Sequence, residues 1–419
     1  MSTKRTRTWA FSTAILLGMA SAQAADWPHW RGPNFDGSSP ETGLPTSWSK
    51  TENVFWAADM PGIGSGTPVV VGDRVYVSSL SKGGGGNLLG LCLDAATGKV
   101  LWKADLGPAR REKRGNPSAA SPVADEQRAY FLFSTGLLAA VDRNGTVVWR
   151  RDLAKDYGPF KILFSYAVSP LLHEGRLYVS VLHRMGKTGS FVLAINPEDG
   201  KTIWKVTRVT KASGESQEAY TSPVPFEANG VKGVLVAGGE AVTLHHPATG
   251  KEIWRYEHAA IRNGRLVTTP TPMDGLVACG LPQNNPAYVL KAGGSSATKA
   301  WTATGDAKPD VPSSAHQGGK LYVLDGDKKV LTCWDAKTGK KLGESKLGGT
   351  TYWASPTVAD GKVYCIDRKG RVVVSKADAS LEKLAEFSMG ENGCESTIAV
   401  AGGRLYVRTP GKLYCIGLK

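Results

Sequence analysis

Three stretches of this 419-residue chain supply, between them, arginine, carboxylate and aromatic side chains: 110–116 (Arg-Arg-Glu-Lys-Arg-Gly-Asn), 157–166 (from Tyr-Gly-Pro-Phe to Ser-Tyr) and 215–220 (Glu-Ser-Gln-Glu-Ala-Tyr). Three shorter groups follow: Arg262, Asn263 and Arg265, then Tyr352 and Trp353, then Glu391, Asn392 and Glu395. A guanidinium pairs with carboxylate or phosphate oxygens through two parallel hydrogen bonds, and an aromatic face offers apolar area beside them. Brought together, such groups would bind an anionic or sugar-like ligand. The residues placed in that role are Arg114, Tyr166, Glu218, Tyr220, Arg265, Trp353, Asn392 and Glu395. The opposite reading is that they hydrogen-bond one another and fill the space between elements. Spacing alone leaves both open.

Other chemistries find little support. The six cysteines, Cys92, Cys279, Cys333, Cys365, Cys394 and Cys415, have no CxxC spacing, against a zinc or thioredoxin-type site. Cys92, Cys333, Cys365 and Cys415 lie inside apolar alternations, where a thiol serves as a small buried hydrophobe. Export would permit disulfides, but pairing is not legible. His245 and His246 are adjacent on a strand-like run, point to opposite faces and cannot share a metal. No nucleophile elbow, phosphate loop or paired-carboxylate motif is present.

The elements that must position these residues repeat. Each unit opens on a Ser/Thr-Pro-Val-like step and continues to an Arg-x-Tyr-Val-like strand and then a Leu-x-x-Leu-Asp-like strand. It closes on x-x-Thr-Gly-Lys-x-x-Trp. The clearest copy runs from Thr67-Pro68-Val69 through Arg74-Val75-Tyr76-Val77 and Leu91-Cys92-Leu93-Asp94 to Thr97-Gly98-Lys99 and Trp102. Closing tryptophans fall at Trp56, Trp102, Trp149, Trp204, Trp254 and Trp301, with Leu342 and Phe387 in the next two slots, a step of about 47 residues. Opening steps fall at Pro68, Pro122, Pro170, Pro223, Pro270, Ser314, Pro356 and Thr397. The pattern within each unit has period two and is rich in Val, Leu and Tyr, so the units are strands rather than paired helices. Eight units of four strands predict an all-β, eight-bladed β-propeller of antiparallel blades. The last copy lacks a fourth strand, and an orphan strand at Asn53–Trp56 precedes the first, so the N-terminal strand is expected to close the last blade. Asp94 is expected to accept from amides two and three residues on, and Gly98 to supply the positive φ of the turn. The tryptophans are expected to wedge between neighbouring blades; Trp353 falls out of phase with them and is the one expected to touch a ligand. Most of the 50 glycines are then blade turns. The segments joining one blade's last strand to the next blade's first run toward the axis and carry the arginine, carboxylate and aromatic groups.

The repeated Asp-x-x-Thr-Gly-Lys-x-x-Trp motif resembles the docking motif of pyrroloquinoline-quinone-type propellers across nearly the whole chain. Asp26-Trp27-Pro28, Trp30-Arg31-Gly32-Pro33-Asn34 and Asp36-Gly37 look like the N-terminal segment of exported bacterial members. The resemblance implies one of two branches. Quinoprotein dehydrogenases use a quinone with calcium held by Glu, Asn and Asp, an Asp base, an Arg beside the quinone and commonly a Cys-Cys pair. That pair is missing here, and no single carboxylate stands out as a base. The BamB-like branch is non-catalytic and includes a periplasmic scaffold of outer-membrane barrel assembly. The expected role is therefore an exported, non-enzymatic binding or scaffold propeller of the bacterial cell envelope, without a cofactor. The alternatives are a quinone- and calcium-dependent dehydrogenase of alcohols or sugars, and a small-ligand or glycan binder.

Residues 1–24 look like a cleavable signal: Lys4, Arg5 and Arg7, an apolar run from about Phe11 to Ala20, then Ala22-Gln23-Ala24. The apolar run is too short to span a bilayer, and no cysteine at the cleavage site indicates a lipid anchor, a departure from the usual BamB. The expected layout is a signal at 1–24, an extension at 25–52 and the propeller at 53–419. The formal charge is +14, and loss of the three signal cations leaves +11. In an exported chain that charge points away from nucleic acid and toward an anionic envelope surface, an envelope protein or a glycan. A monomer without a membrane span is expected.

Overall fold

A computed structural model describes residues 25–83, 85–259 and 261–419; the proposed signal, 1–24, lies outside them. Among the described residues thirty-two strands form eight four-stranded antiparallel sheets. In blade 1 the strands are Val69–Val71, Arg74–Lys82, Gly85–Asp94 and Val100–Pro108, side by side in chain order. Six more blades repeat this up-and-down order: blade 2 over 123–152, blade 3 over 171–207, blade 4 over 224–257, blade 5 over 271–302, blade 6 over 315–346 and blade 7 over 357–388. Blade 8 takes its first three strands from Ala399–Ala401, Arg404–Arg408 and Lys412–Ile416, and its outermost from Val54–Asp59 at the other end of the chain. Val54 pairs with Ile416 and Asp59 with Lys412. This is the closure expected from the repeat's phase, and it leaves no blade an open third strand.

Within each blade the inner three strands are buried and the fourth alternates. Arg404–Arg408 is buried beyond its first residue, whereas Ile203, Lys205 and Thr207 of an outermost strand are exposed and Trp204 and Val206 between them are partly buried. Apolar side chains on neighbouring sheets pack face to face, as in the cluster that joins Tyr76, Cys92 and Phe131 of blades 1 and 2. All six cysteines are free and buried.

The turns carry the repeat's hallmark residues for the reasons expected. Asp94 Oδ1 accepts from the amides of Ala96 (3.1 Å) and Thr97 (2.8 Å). Gly98 has φ +71°. The glycine has a second duty that the motif alone did not show. A Cβ on Gly98 would lie 2.5 Å from the Trp56 ring, and one on Gly145, Gly200, Gly250 or Gly339 would lie 2.5–2.7 Å from Trp102, Trp149, Trp204 or Trp301. Each tryptophan thus seats on the bare turn of the next blade, and its indole N–H donates to that turn's carbonyl. Trp56 reaches Ala95 O (3.0 Å), Trp102 Arg143 O (3.1 Å), Trp149 Pro197 O (2.8 Å), Trp204 Pro247 O (2.9 Å) and Trp301 Ala336 O (3.0 Å). Trp254 is buried, but its N–H has no partner among the described residues. The following blade replaces the motif there with Gly293 and Gly294.

Residues 25–48 cross one end of the ring. Trp27 pairs with Val70 of blade 1, and Pro28 O accepts from Ala124 of blade 2. Phe35 meets His173 of blade 3 at 6.0 Å. Asp36 O accepts from His316 of blade 6, and Gly37 and Ser39 bond Val358 of blade 7. Trp27, Leu44 and Trp48 are buried among blades 1, 7 and 8.

Candidate functional site

The residue before each opening slot, held by proline in six blades, by Ser314 in one and by Ile398 in another, is Ser or Thr, and these eight hydroxyls form a closed ring. The amide of Thr67 donates to Ser121 Oγ (2.8 Å), Ser121 to Ser169 (3.0 Å), Ser169 to Ser222 (3.0 Å) and Ser222 to Thr269 Oγ1 (3.0 Å). Thr269 donates to Ser313 (2.9 Å), Ser313 to Ser355 (3.0 Å), Ser355 to Thr397 (3.2 Å) and Thr397 back to Thr67 (3.2 Å). The ring corrects the last opening step by one residue: Thr397 is a ring hydroxyl and Ile398 holds the proline slot. Proline suits that slot because it opens the innermost strand and needs no ladder amide. The hydroxyls surround a well of about 180 Å³, with Trp30 of the crossing segment at one end.

At the other end the well opens into a mouth of about 220 Å³, lined by Gly115, Asn116, Phe164, Tyr220, Arg265, Trp353 and Glu395. Four of the eight predicted residues, Tyr220, Arg265, Trp353 and Glu395, therefore line the mouth. Trp353 is 38% exposed, and the Arg368 guanidinium lies 3.7 Å from its ring centroid. Arg368 Nη2 reaches Glu395 Oε1 at 3.0 Å. Ser65 Oγ donates to the second Glu395 oxygen (2.9 Å) and accepts from Asn116 Nδ2 (3.2 Å). Across the mouth the Arg265 guanidinium sits 4.3 Å from the Phe164 centroid, and Arg265 Nη1 is 3.5 Å from Glu215. Arg114 lies above the same ring at 5.7 Å, so it belongs to the rim.

Glu218 and Tyr220 hold this wall together. A 3-10 turn, Gly214–Gln217, delivers Glu218 into full burial. Its Oε2 accepts from the Tyr220 hydroxyl (2.8 Å) and the Leu163 amide (3.0 Å), and Arg184 ion-pairs with the other oxygen. Tyr220 also accepts from the Phe164 amide (3.1 Å). Burial pushes the Tyr220 phenol well above its ordinary range, so it stays a donor. Glu218 is thus a positioning group beneath the mouth rather than a lining one. Tyr166 is elsewhere: it is buried in the core with its hydroxyl on Ser180 O (2.7 Å). Asn392 is exposed outside the mouth's lining. Phe164, Arg368 and Ser65 are lining or supporting residues that the sequence reading did not select. Phe164 stood inside a chosen stretch, but Arg368 gave no signal because it comes from a hairpin turn, not an interblade segment. The alternative that these groups pair among themselves holds in part, since Glu395 is doubly engaged while the Trp353 edge and the Arg265 face stay open to the mouth.

The donor set fits poorly with the calcium that a quinoprotein resemblance implies. Calcium takes six to eight oxygen ligands, with carboxylates prominent. Glu395 is the carboxylate among the residues lining the mouth, and it is held by Arg368 and Ser65. Among the described residues no group of three or more His, Cys, Asp or Glu side chains is placed to hold a metal.

Fold and site define an eight-bladed propeller with a cation-and-aromatic mouth on its axis. The chain belongs to the family described as outer membrane protein assembly factor BamB, whose model matches residues 46–206 and 188–416. It is also 25% identical over 202 residues to polyvinylalcohol dehydrogenase from a Pseudomonas species, a match spanning 45% of this chain and 28% of that enzyme's length. Among solved structures, BamB from Moraxella catarrhalis superposes with TM-score 0.57 at 15% identity, covering 79% of this chain and 94% of that one. Quinohemoprotein alcohol dehydrogenase from Comamonas testosteroni gives 0.66 at 15%, covering 94% and 80%. A europium-containing methanol dehydrogenase gives 0.67 at 12%, covering 94% and 98%. At these identities the structural likeness is one of fold. Among the described residues no helix is long and apolar enough to cross a membrane.

Proposed function

We propose that the protein is an exported, non-enzymatic binding propeller of the bacterial cell envelope, a scaffold of the BamB type that works as a monomer. Residues 1–24 direct export, and sequencing of the secreted chain is expected to begin at Ala25. The partner is an envelope protein presenting an acidic or aromatic segment. One observation carries this reading. The mouth sets two cation–aromatic pairs, Arg265 with Phe164 and Arg368 with Trp353, on either side of a small open recess on a rigid ring. Arginine and tryptophan are the side chains that most often dominate protein interfaces. The test is mild crosslinking and co-purification from envelope fractions, comparing the native chain with an Arg265→Ala/Trp353→Ala variant of unchanged melting temperature. Specific recovery of an envelope protein by the native chain, lost in the variant, is the expected result. Recovery of nothing by the native chain rejects scaffolding. Equal recovery by both moves the partner to a blade edge.

A second reading, a quinone-dependent dehydrogenase of alcohols, is favoured by the partial match to polyvinylalcohol dehydrogenase. Adding the quinone and calcium to the purified chain and following dye reduction across alcohols and sugars decides it; acceptor reduction would displace the scaffold reading.

A further inference from the structure

The hydroxyl ring closes the well with donors that are not spent. Each of the eight oxygens accepts an amide from the preceding blade, so its geometry is fixed. No described residue accepts any of the eight hydroxyl protons. A buried donor without an acceptor carries its full desolvation cost unless something else occupies the site. The floor repeats the theme. Trp30 lines the same well, and its indole N–H is buried without a partner. Beneath it Arg31 is fully buried, its guanidinium 5.2 Å from the Trp30 centroid and its Nη1 also without a partner. Glu395, at the mouth end, is the one carboxylate lining the well among the described residues, and Arg368 already balances it.

We propose that this axial well is an anion site, taking a small carboxylate or inorganic oxyanion that accepts hydrogen bonds from the ring hydroxyls and the Trp30 indole. The direction of the ring argues for an anion. Amide donation fixes one lone pair of every hydroxyl tangentially and leaves its proton free; buried Asp36 offsets Arg31 below the floor, so the unspent donors themselves carry the preference. The volume of about 180 Å³ admits a small polyatomic ion and some water. The site does not depend on a protein partner at the mouth, although a bound anion would lie directly beneath one.

Calorimetric titration of the whole chain with formate, and separately with sulfate, at constant ionic strength tests it. Saturable one-to-one binding is expected for at least one of the two anions. A hydrogen bond to a charged group is worth about tenfold in affinity, so Ser169→Ala/Ser222→Ala is expected to weaken binding at least about tenfold. Ser169→Thr/Ser222→Thr, which keeps both hydroxyls, is expected to restore it, as threonine already serves at three ring positions. Should the alanine variant misfold, Trp30→Phe removes only the indole donor and is expected to weaken binding alone. Absence of saturable binding by the native chain overturns the proposal. So does undiminished affinity in the folded alanine variant or, where that variant misfolds, in Trp30→Phe. Partner capture lost in Arg265→Ala, whose side chain lines the mouth and not the well, with anion binding intact would separate this site from the mouth.

Discussion

Glu218 shows how a residue chosen for its chemistry can turn out to serve the wall of a site. It is completely buried, and its carboxylate ties Arg184, the Leu163 amide and Tyr220 into one unit behind Phe164. Hydrogen bonds to a buried charge are worth about 1.5–3 kcal/mol each, and removing the acceptor leaves its donors unpaired. Glu218→Ala is therefore expected to destabilise the fold by about 3 kcal/mol and to loosen segment 160–166, measured by urea denaturation and amide exchange at Leu163 and Phe164. The histidines give a second expectation at this scale. Burial, helped by Arg31, pulls His29 from 6.5 to about 3, and burial takes His245 from 6.5 to about 4. The native state holds both neutral where the unfolded chain binds protons, so their contribution is complete above pH 6.5. It declines as pH falls through 6.5 and is spent near 3–4, at up to about 1.4 kcal/mol per pH unit per group. His29→Asn places an oxygen where Nδ1 accepts the Arg31 amide (3.2 Å) but does not titrate. Its stability curve is expected to be flatter between pH 6.5 and 3; a slope equal to the native one would mean that His29 is not a source of acid sensitivity.

The element that repeats is a tryptophan on one blade seated on a bare turn of the next, and its members are not equal. Trp56 is buried and donates to Ala95 O, whereas buried Trp254 donates to nothing described. Replacing each with phenylalanine keeps most of the ring. Trp56→Phe is expected to cost about 1 kcal/mol more than Trp254→Phe, the worth of one ordinary hydrogen bond, read as the difference between two denaturation midpoints. Gly98→Ala combines a φ of +71° with a Cβ 2.5 Å from the Trp56 ring. It is expected to cost about 1–3 kcal/mol for the backbone alone, and more with the clash. These interactions explain what the sequence made legible. Every blade repeats the same local problem, a turn and a docking side chain, so periodicity disclosed the architecture and even the closing strand at 54–59. The ring hydroxyls were visible as Ser/Thr before proline, but they read as strand openers, because their partners lie in another repeat, about one period away. Trp30 was illegible because it reaches the axis from a segment that does not repeat, and Arg368 because it comes from a hairpin turn rather than an interblade segment.

At the scale of the molecule, two long-range ties close a ring whose neighbouring blades are already joined by docked tryptophans and ring hydroxyls. One is the pairing of Val54–Asp59 with Lys412–Ile416. The other is the segment 25–48, which touches blades 1, 2, 3, 6, 7 and 8 while crossing the axis. Their loss should differ in kind. Removing Lys412–Lys419 takes a strand from the middle of blade 8, leaving the 54–59 strand unpaired and a bare edge on Arg404–Arg408, which invites pairing with another chain. That truncation is expected to elute as oligomers and to lose its single melting transition. A chain beginning at Ser49 keeps the closing strand but gives up Trp27, Leu44 and Trp48, each worth about 1.5–3 kcal/mol of burial. It is expected to stay monomeric and to melt in one step at a lower temperature. It also lacks the Trp30 floor, so the axis is open at both ends, and loss of anion affinity should accompany the lower melting point. If the shortened chain melts with the full one, the crossing segment is an appendage rather than part of the cooperative fold. If instead it elutes as oligomers like the C-terminal truncation, the segment is itself part of the closure.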